Sequence, residues 1–372
     1  MNPKSNIFLT GITGLLGSHL AKELLINGNK IFAIVRSDKN ISSWQRTIES
    51  LKFVFGNEWD ENLVLPKLRV ISGDISEPDL GIQDYKTRRL LISEIDIIFH
   101  SAALTELTAP LCINRKMNVE GTRNVLEFAM QCRANGGLAK FNHISTIYVA
   151  GAKEMRFDET MLDVGQNFNN PYEQSKFEAE KLLEGYSRKG LNVSVFRPSM
   201  IAGDSRTGKT NNFRLFYQPL HYFANELFEK FPGNFESSLN LINIDVAARA
   251  IVALSERGEN SVYHIISPCE IKLRFLIELA ADYFGFQKPE FIPIEKFDFD
   301  DLTSVQRALA SPFMPYLNYK AILAADKTFS ILRGSYGFDY PRFNESNLSR
   351  IFEYCVMSKF IKKQTDGKPT RR

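Results

Sequence analysis

The sequence predicts an α/β fold: a doubly wound parallel sheet followed by a smaller, mostly helical C-terminal substrate domain. Three observations predict it. Short β-branched and aromatic runs alternate with helical stretches through the first 200 residues, glycines separate the first run from the first helix, and beyond about residue 268 helices rich in Phe, Tyr and Pro take over. Strands interleaved with helices imply βαβ units, whose strands run parallel. The expected division is a sheet domain over residues 1–203, to which residues 239–267 return, and a smaller domain from residues 204–238 and 268–360. Residues 361–372 read as a basic, frayed tail.

Each element has its own signal. "NIFLT" from Asn6 reads as the first strand, and "LLGSHLAKELLINGN" as a helix with Gly28 near its stop. "KIFAIV", "LRVIS" and "EIDIIFH" follow as strands two to four. A helix is expected over residues 110–132, then the strand "KFNHIS", a helix from Pro171 and the strand "NVSVF". "NLINIDVAARAIVALS" reads as a strand end and a helix, and "SVYHIIS" as a last strand. One aromatic-rich helix is expected over residues 211–231, with Phe213, Phe216, Leu220, Phe223, Leu227 and Phe231 as its apolar stripe. That stripe suits a core face or a lid over an apolar substrate.

Composition narrows the function classes. A chain of 372 residues that is 44% apolar can bury a large core, and a net charge of +3 argues against wholesale nucleic-acid binding. Cys112, Cys132, Cys269 and Cys355 are far apart in sequence, which suits a reducing, cytoplasmic setting and neither a disulfide framework nor a zinc site. No apolar run approaches the roughly 18 residues of a membrane span. The five histidines form no His-x-x-His or His-Glu-x-x-His pattern, so no metal is expected. His100 is expected to line a cofactor cleft and His143 to belong to a strand.

The stretch "FLTGITGLLG" puts Gly11, Gly14 and Gly17 between the first strand and the first helix. Glycines there permit a tight turn and close approach of the backbone to a pyrophosphate seated on the helix N-terminus. This makes the sheet Rossmann-type and predicts a dinucleotide. The second strand ends at Arg36-Ser37, where an arginine accommodates the 2′-phosphate of NADP and an acidic residue would hold the ribose of NAD. Arg36 therefore favours NADPH, with Asp38 as the neighbour that would favour NADH.

"NNPYEQSKFEAEKLL" carries the expected chemistry. Asn170 suits the N-cap, Pro171 the first helical position, and Glu173 an Asn-x-x-Glu capping box. Tyr172 and Lys176 then share a helix face. An adjacent ammonium and the positive helix end are expected to lower the phenol from its usual value near 10, making Tyr172 a general acid/base. The competing reading is an ordinary exposed helix face.

Taken with "HSAA" after the fourth strand, "NVEGT", "FNHISTIYVAG" and "FRPSMIAG", these stretches resemble the extended short-chain dehydrogenase/reductase superfamily over roughly residues 5–270. The resemblance implies a catalytic triad of Thr146, Tyr172 and Lys176, with Asn118 supporting a proton relay. It also implies a dinucleotide against Thr10, Gly11, Thr13, Gly14, Leu15 and Gly17, with Asp74 at the adenine and Ile75 beside it. Ser101, Ala102, Ala103, Pro198 and Ser199 complete the expected contacts, together with Arg36, Ser37, Tyr172 and Lys176. "GDISEPDLGI", "HSAALTELTAPL" and "GDSRTG" look like the thioester reductase branch, which includes reductase domains of carboxylic acid reductases and fatty acyl-CoA reductases. That branch implies NADPH-dependent reduction of an acyl thioester to an aldehyde, with onward reduction to an alcohol left open. The sequence starts at the first strand, so the substrate is expected on free CoA or on a separate acyl carrier protein.

Within this fold the alternatives are a sugar-nucleotide epimerase or dehydratase and a reductase of small carbonyl compounds. A non-catalytic NADP-binding sensor is the alternative of another class. A further reading comes from Gly203, where "GDSRTGKT" spells a phosphate-binding loop. The strand before it ends ahead of Arg197-Pro198, five residues (Pro198 to Ala202) intervene before Gly203, a dinucleotide-type loop already occupies the first turn and no partner Asp is evident, which together argue against an NTPase. Arg206 or Lys209 is left as a candidate grip on the phosphates of CoA or of a carrier arm.

Overall fold

A computed structural model describes residues 5–37, 40–258 and 260–364, so Asp38 and most of the basic tail lie outside the described residues. Seven parallel strands form the main sheet. They are β1 (Asn6–Thr10), β2 (Lys30–Val35), β3 (Leu68–Ser72), β4 (Ile97–His100), β5 (Lys140–Ile144), β6 (Val193–Pro198) and β7 (Ser261–Ile265), in the spatial order 7-6-5-4-1-2-3. The order reverses between β1 and β4, which pair in parallel from Ile7 with Ile97 to Thr10 with His100. A doubly wound sheet opens its ligand crevice at that reversal, beyond the carboxyl ends of the strands.

Alternation along the strands builds two cores. Ile7, Leu9, Ile31 and Ala33 face one side, against α1 (Leu15–Ile26), α2 (Ser43–Phe55) and the helix Ile244–Ser255. Phe8, Phe32, Ile34 and Ile98 face the other, where Phe128 and Leu183 come from the helices Gly121–Ala134 and Pro171–Arg188. Successive strand side chains point to opposite faces, so strands covered on both sides read as continuous apolar runs. Each fully buried Phe or Leu contributes roughly 1.5–3 kcal/mol.

A third core joins Met200, Phe216, Phe223, Phe231, Leu276 and Phe352, drawn from the sequence after residue 147. Three expectations change here. The helix expected over residues 211–231 is only Tyr217–Ala224. Pro219 falls in its first turn, where the missing N–H costs nothing, and Glu226 (φ 53°) breaks it before the strand Lys230–Pro232. Phe216, Leu220, Phe223 and Phe231 are core, whereas Leu227 is exposed. The tail does not begin at residue 361, because Ile361 is buried and the Gln364 amide donates to the Phe284 carbonyl.

The "GDSRTGKT" loop closes on itself. The amides of Arg206 and Thr207 and the Thr207 hydroxyl donate to Asp204 Oδ1 at 2.9–3.0 Å, and Ser205 donates twice to Asp245. The donors that would cradle a phosphate are therefore occupied, and the next helix starts only at Tyr217. Lys209 projects to Gly56, at the end of α2, so neither it nor Arg206 borders the crevice. Among the described residues no helix is long and apolar enough to cross a membrane, and no group of three or more His, Cys, Asp or Glu is placed to hold a metal ion.

Candidate active site

The first glycine loop is shaped by backbone contact. Gly11 adopts φ +78°, and a Cβ there would lie 2.7 Å from the Ala102 amide nitrogen. A Cβ on Gly17 would lie 2.0 Å from the Gly11 carbonyl oxygen. α1 thus starts pressed against its own turn, with no side-chain cap and no acidic residue in its first turn. Its first amides are left facing the crevice, as an anion seated on a helix N-terminus requires.

Thr10 works behind this loop. Its Oγ1 accepts from the amides of Ser101 (3.1 Å) and Ala102 (3.0 Å) and bonds His100 Nδ1 at 2.8 Å. Thr10 and Ala102 therefore fix the two loops together and do not border the crevice. His100 is likewise behind it: its Nε2 meets Thr122 Oγ1, and burial lowers its pKa to about 3, so the ring is neutral.

Opposite the glycines, Asn170 caps Pro171–Arg188 by accepting from the Glu173 amide at 3.0 Å. The expected capping box is displaced by one residue, because the Glu173 carboxylate accepts from the Asn169 amide (2.9 Å) and not from that of Asn170. Glu173 is fully buried, and Tyr316 from the C-terminal region donates its hydroxyl to Glu173 Oε1 at 2.8 Å. Lys176 is 2% exposed and donates from Nζ to the Ile144 carbonyl at 2.8 Å, with His143 Nε2 at 3.2 Å. Burial lowers its pKa to about 8, against the opposing pull of the Glu180 carboxylate.

Tyr172 departs from expectation in its electrostatics. Burial raises its phenol above the usual range, while a hydrogen bond from Thr146 works the other way. Desolvation of a phenolate here outweighs the ammonium and the helix end. The hydroxyl stays protonated, which suits a proton donor.

A buried relay holds the Thr146 strand end. Ser145 donates its hydroxyl to Glu180, and Glu180 pairs with Arg197 Nη2 at 2.8 Å, both side chains almost fully buried. Arg197 also donates to the Met161 carbonyl and lies 5.2 Å from the Phe157 ring centroid. Glu180 and Arg197 were not singled out in the sequence, although Glu180 lies four residues after Lys176, on the same helix face.

The crevice, about 250 Å³, brings together Gly11, Gly14, Leu15 and Gly17 from the first loop with Thr146, Tyr172 and Lys176. Ser101 and Ala103 after β4 and Pro198 and Ser199 after β6 border it too. The Ser199 hydroxyl, on a residue that borders the crevice, is buried with no hydrogen-bond partner among the described residues, as is expected where a bound group supplies one. Thr13 and Ile75 do not border it; Ile75 packs on Gly121 and its carbonyl accepts from Asn124. Asn118 is 1% exposed and also stands outside, its amide bonded to both backbone groups of Leu104 and to Ser175 Oγ. Arg36, Ser37 and Asp74 line a separate groove of about 1320 Å³ along β3. Arg46 lines it too and donates to the Arg36 carbonyl at 2.8 Å, an arginine that no sequence pattern marked. Leu107, Met200, Leu215 and Tyr316 border the crevice as well. Leu107 and Leu215 sit in irregular segments, where no periodicity marks them.

Residues 9–251 match the family model described as "Male sterility protein", an NAD-binding family. The chain belongs to this family. Among solved structures, the terminal R domain of the myxalamid PKS-NRPS pathway superposes with a TM-score of 0.84 at 27% identity, covering 98% of this chain and 94% of that one. A thiolation-reductase di-domain from an archaeal non-ribosomal peptide synthetase gives 0.77 at 25% identity, over 96% of this chain and 76% of that one. The L-2-aminoadipate reductase large subunit of Candida glabrata is 29% identical over 67% of this chain. This family member spans only 19% of that relative's length. Its dinucleotide site is of the nicotinamide-binding kind that the family model describes.

Proposed function

We propose that this protein is an NADPH-dependent reductase that takes an acyl thioester, carried on an acyl carrier protein or on CoA, to the aldehyde. One juxtaposition carries the reading: the Thr146–Tyr172 hydroxyl pair and the Lys176 ammonium share one crevice with a glycine cradle and with the apolar side chains of Leu107, Met200 and Leu215. The names of the R domain, the thiolation-reductase di-domain and the aminoadipate reductase support it.

A bound nicotinamide supplies the hydride. Thr146 and Tyr172 direct their hydroxyls at the carbonyl oxygen, where negative charge develops. Tyr172, kept protonated by burial, gives up its proton there, forming a hemithioacetal; that proton returns to the phenolate as the C–S bond breaks, releasing the aldehyde and the carrier thiolate, which takes a proton from water. Lys176 sets its ammonium against the nicotinamide ribose and favours the phenolate left behind. Asn118 acts as a positioning residue, holding the Leu104 turn to the Tyr172 helix. The test is direct: mixing protein, NADPH and a panel of acyl-CoA and acyl-carrier thioesters should consume nicotinamide absorbance and release aldehyde. Conversion of a sugar nucleotide with no thioester turnover would refute the reading.

Cofactor choice falls to the basic rim of the larger groove, where Arg36 and Arg46 offer guanidinium donors to a 2′-phosphate. Hydrogen bonds to charged groups contribute roughly 1.5–3 kcal/mol, so Arg36→Glu should raise the NADPH dissociation constant about tenfold or more while leaving NADH nearly unaffected. Fluorescence titration of both cofactors measures this.

The lowered Lys176 pKa sets an alkaline limit. Its ammonium is held below pH 8 and lost as the pH rises through about 8, well before an exposed lysine with its usual value of 10.5 would titrate. kcat/KM for the thioester should therefore fall above about pH 8, and Lys176→Arg should move that limb upward in whatever activity it retains.

A further inference from the structure

The back wall of the crevice is made of two rings. Tyr148 and Tyr316 meet edge to face with centroids 4.9 Å apart. They are the residues the crevice shares with a second cavity of about 420 Å³ on their far side. Leu239, Ile266 and Leu323 give that cavity apolar walls, while Tyr319 contributes a buried hydroxyl that has no partner.

The charge of the cavity is uneven. Glu270 borders it and makes no ion pair or hydrogen bond to any described residue; burial foremost holds the Tyr148 phenol protonated, and the charges of Glu173 and then Glu270 add to that. Lys320, the cation on the same wall, is turned to Glu154 at 3.5 Å. A third cavity meets the crevice elsewhere and carries both signs, because the exposed Glu106 borders it beside Arg214. Arg214, exposed and without a partner among the described residues, borders both the crevice and this cavity of about 300 Å³, which runs past Thr105 and Gln218. A thioester has two ends leaving one carbonyl carbon, and the phosphate-bearing arm is the anionic one. Of Glu106 and Arg214 only Arg214 also borders the crevice, which assigns the anionic arm to its side and leaves the acyl group the side of Tyr148 and Tyr316.

We propose that the cavity behind Tyr148 and Tyr316 receives the far end of the acyl group, and that Glu270 selects an acyl group carrying a cationic nitrogen there. This rests on the thioester-reductase reading. The tyrosine faces add to the attraction, since a cation within about 6 Å of an aromatic centroid is stabilised by the ring quadrupole.

The test uses three CoA thioesters of matched length: 6-(trimethylammonio)hexanoyl, which cannot cyclise onto its own thioester, heptanoyl and adipoyl. Wild type should rank them ammonium, neutral, carboxylate in kcat/KM. Glu270→Gln, an exposed and nearly isosteric change, should lower kcat/KM for the ammonium ester about fivefold, in the range of a half-exposed ion pair, and leave heptanoyl-CoA within twofold. Ser238→Trp, which fills the cavity from its rim, should lose the long esters and keep acetyl-CoA turnover. An unchanged ranking in Glu270→Gln, or equal loss of acetyl-CoA and long esters in Ser238→Trp with a wild-type Tm, overturns the assignment and leaves the thioester reading intact. No turnover of any thioester by wild type overturns both.

Discussion

Tyr172→Phe should lower kcat for thioester reduction by about two to four orders of magnitude, the usual worth of a positioned proton donor. The change removes one oxygen from a half-buried side chain at the crevice and leaves the ring packing, so Tm should stay within a degree or two and NADPH affinity within about threefold. Thr146→Ala should cost less, about one to two orders, because it removes a second donor to the same oxygen and leaves the proton source in place. Both are read from NADPH oxidation at saturating thioester with product aldehyde quantified. The split between kcat and cofactor affinity is the informative part. A Tyr172→Phe protein that binds NADPH normally and still turns over at the wild-type rate would assign the proton to another group. If instead wild type reduces nothing and Tyr172→Phe leaves a biological activity untouched, the chain is a dinucleotide-gripping sensor.

The sheet was legible in the sequence because its strands are buried on both faces. "NIFLT", "KIFAIV" and "NVSVF" are short, apolar and β-branched, and each helix between them carries its own stop or cap. The site was legible where local chemistry demands a residue type: glycines where backbone touches backbone, and Tyr172 and Lys176 one turn apart behind an Asn-Pro cap. It was not legible where function depends on what packs nearby. The direction of the Tyr172 shift follows from burial, which depends on what folds around the crevice, and Tyr148, Leu215 and Tyr316, which border it, arrive from three distant segments. Thr10 was expected among the cofactor contacts and His100 lining the cofactor cleft, yet their side chains are bonded to each other behind it. The helix over residues 211–231 was overextended because its aromatic spacing fits a helix. Pro219 and the positive φ of Glu226 stop that helix on either side of a short core, and apolar periodicity registers neither.

Gly17→Ala should abolish NADPH binding and lower the melting temperature, because its Cβ has nowhere to go. The added carbon would sit 2.0 Å from the Gly11 oxygen, 2.6 Å from the Gly11 carbonyl carbon and 3.2 Å from the Ile12 nitrogen. All three are backbone atoms of the turn proposed here to cradle the dinucleotide, so relief requires the turn itself to open. Overpacking of this kind costs about 1–3 kcal/mol or more, and here it falls on the loop that must approach a pyrophosphate closely. Two controls separate the cradle from a general intolerance of alanine. At Gly14 the Cβ would lie 3.2 Å from the same oxygen, a contact that a few tenths of an ångström relieves, so Gly14→Ala should retain the fold and lose less affinity. Gly185 lies inside the helix Pro171–Arg188 with nothing within 4 Å of its Cβ position. Gly185→Ala should therefore stabilise the protein by about 0.5–1 kcal/mol, through the backbone freedom that alanine removes from the unfolded chain. Thermal melts with and without NADPH read all three. The ligand-induced rise in Tm should vanish for Gly17→Ala, shrink for Gly14→Ala and persist for Gly185→Ala. A Gly17→Ala protein whose NADPH-induced rise matches that of wild type would mean that the dinucleotide is held without the close approach of this loop, and would move its pyrophosphate away from the α1 N-terminus.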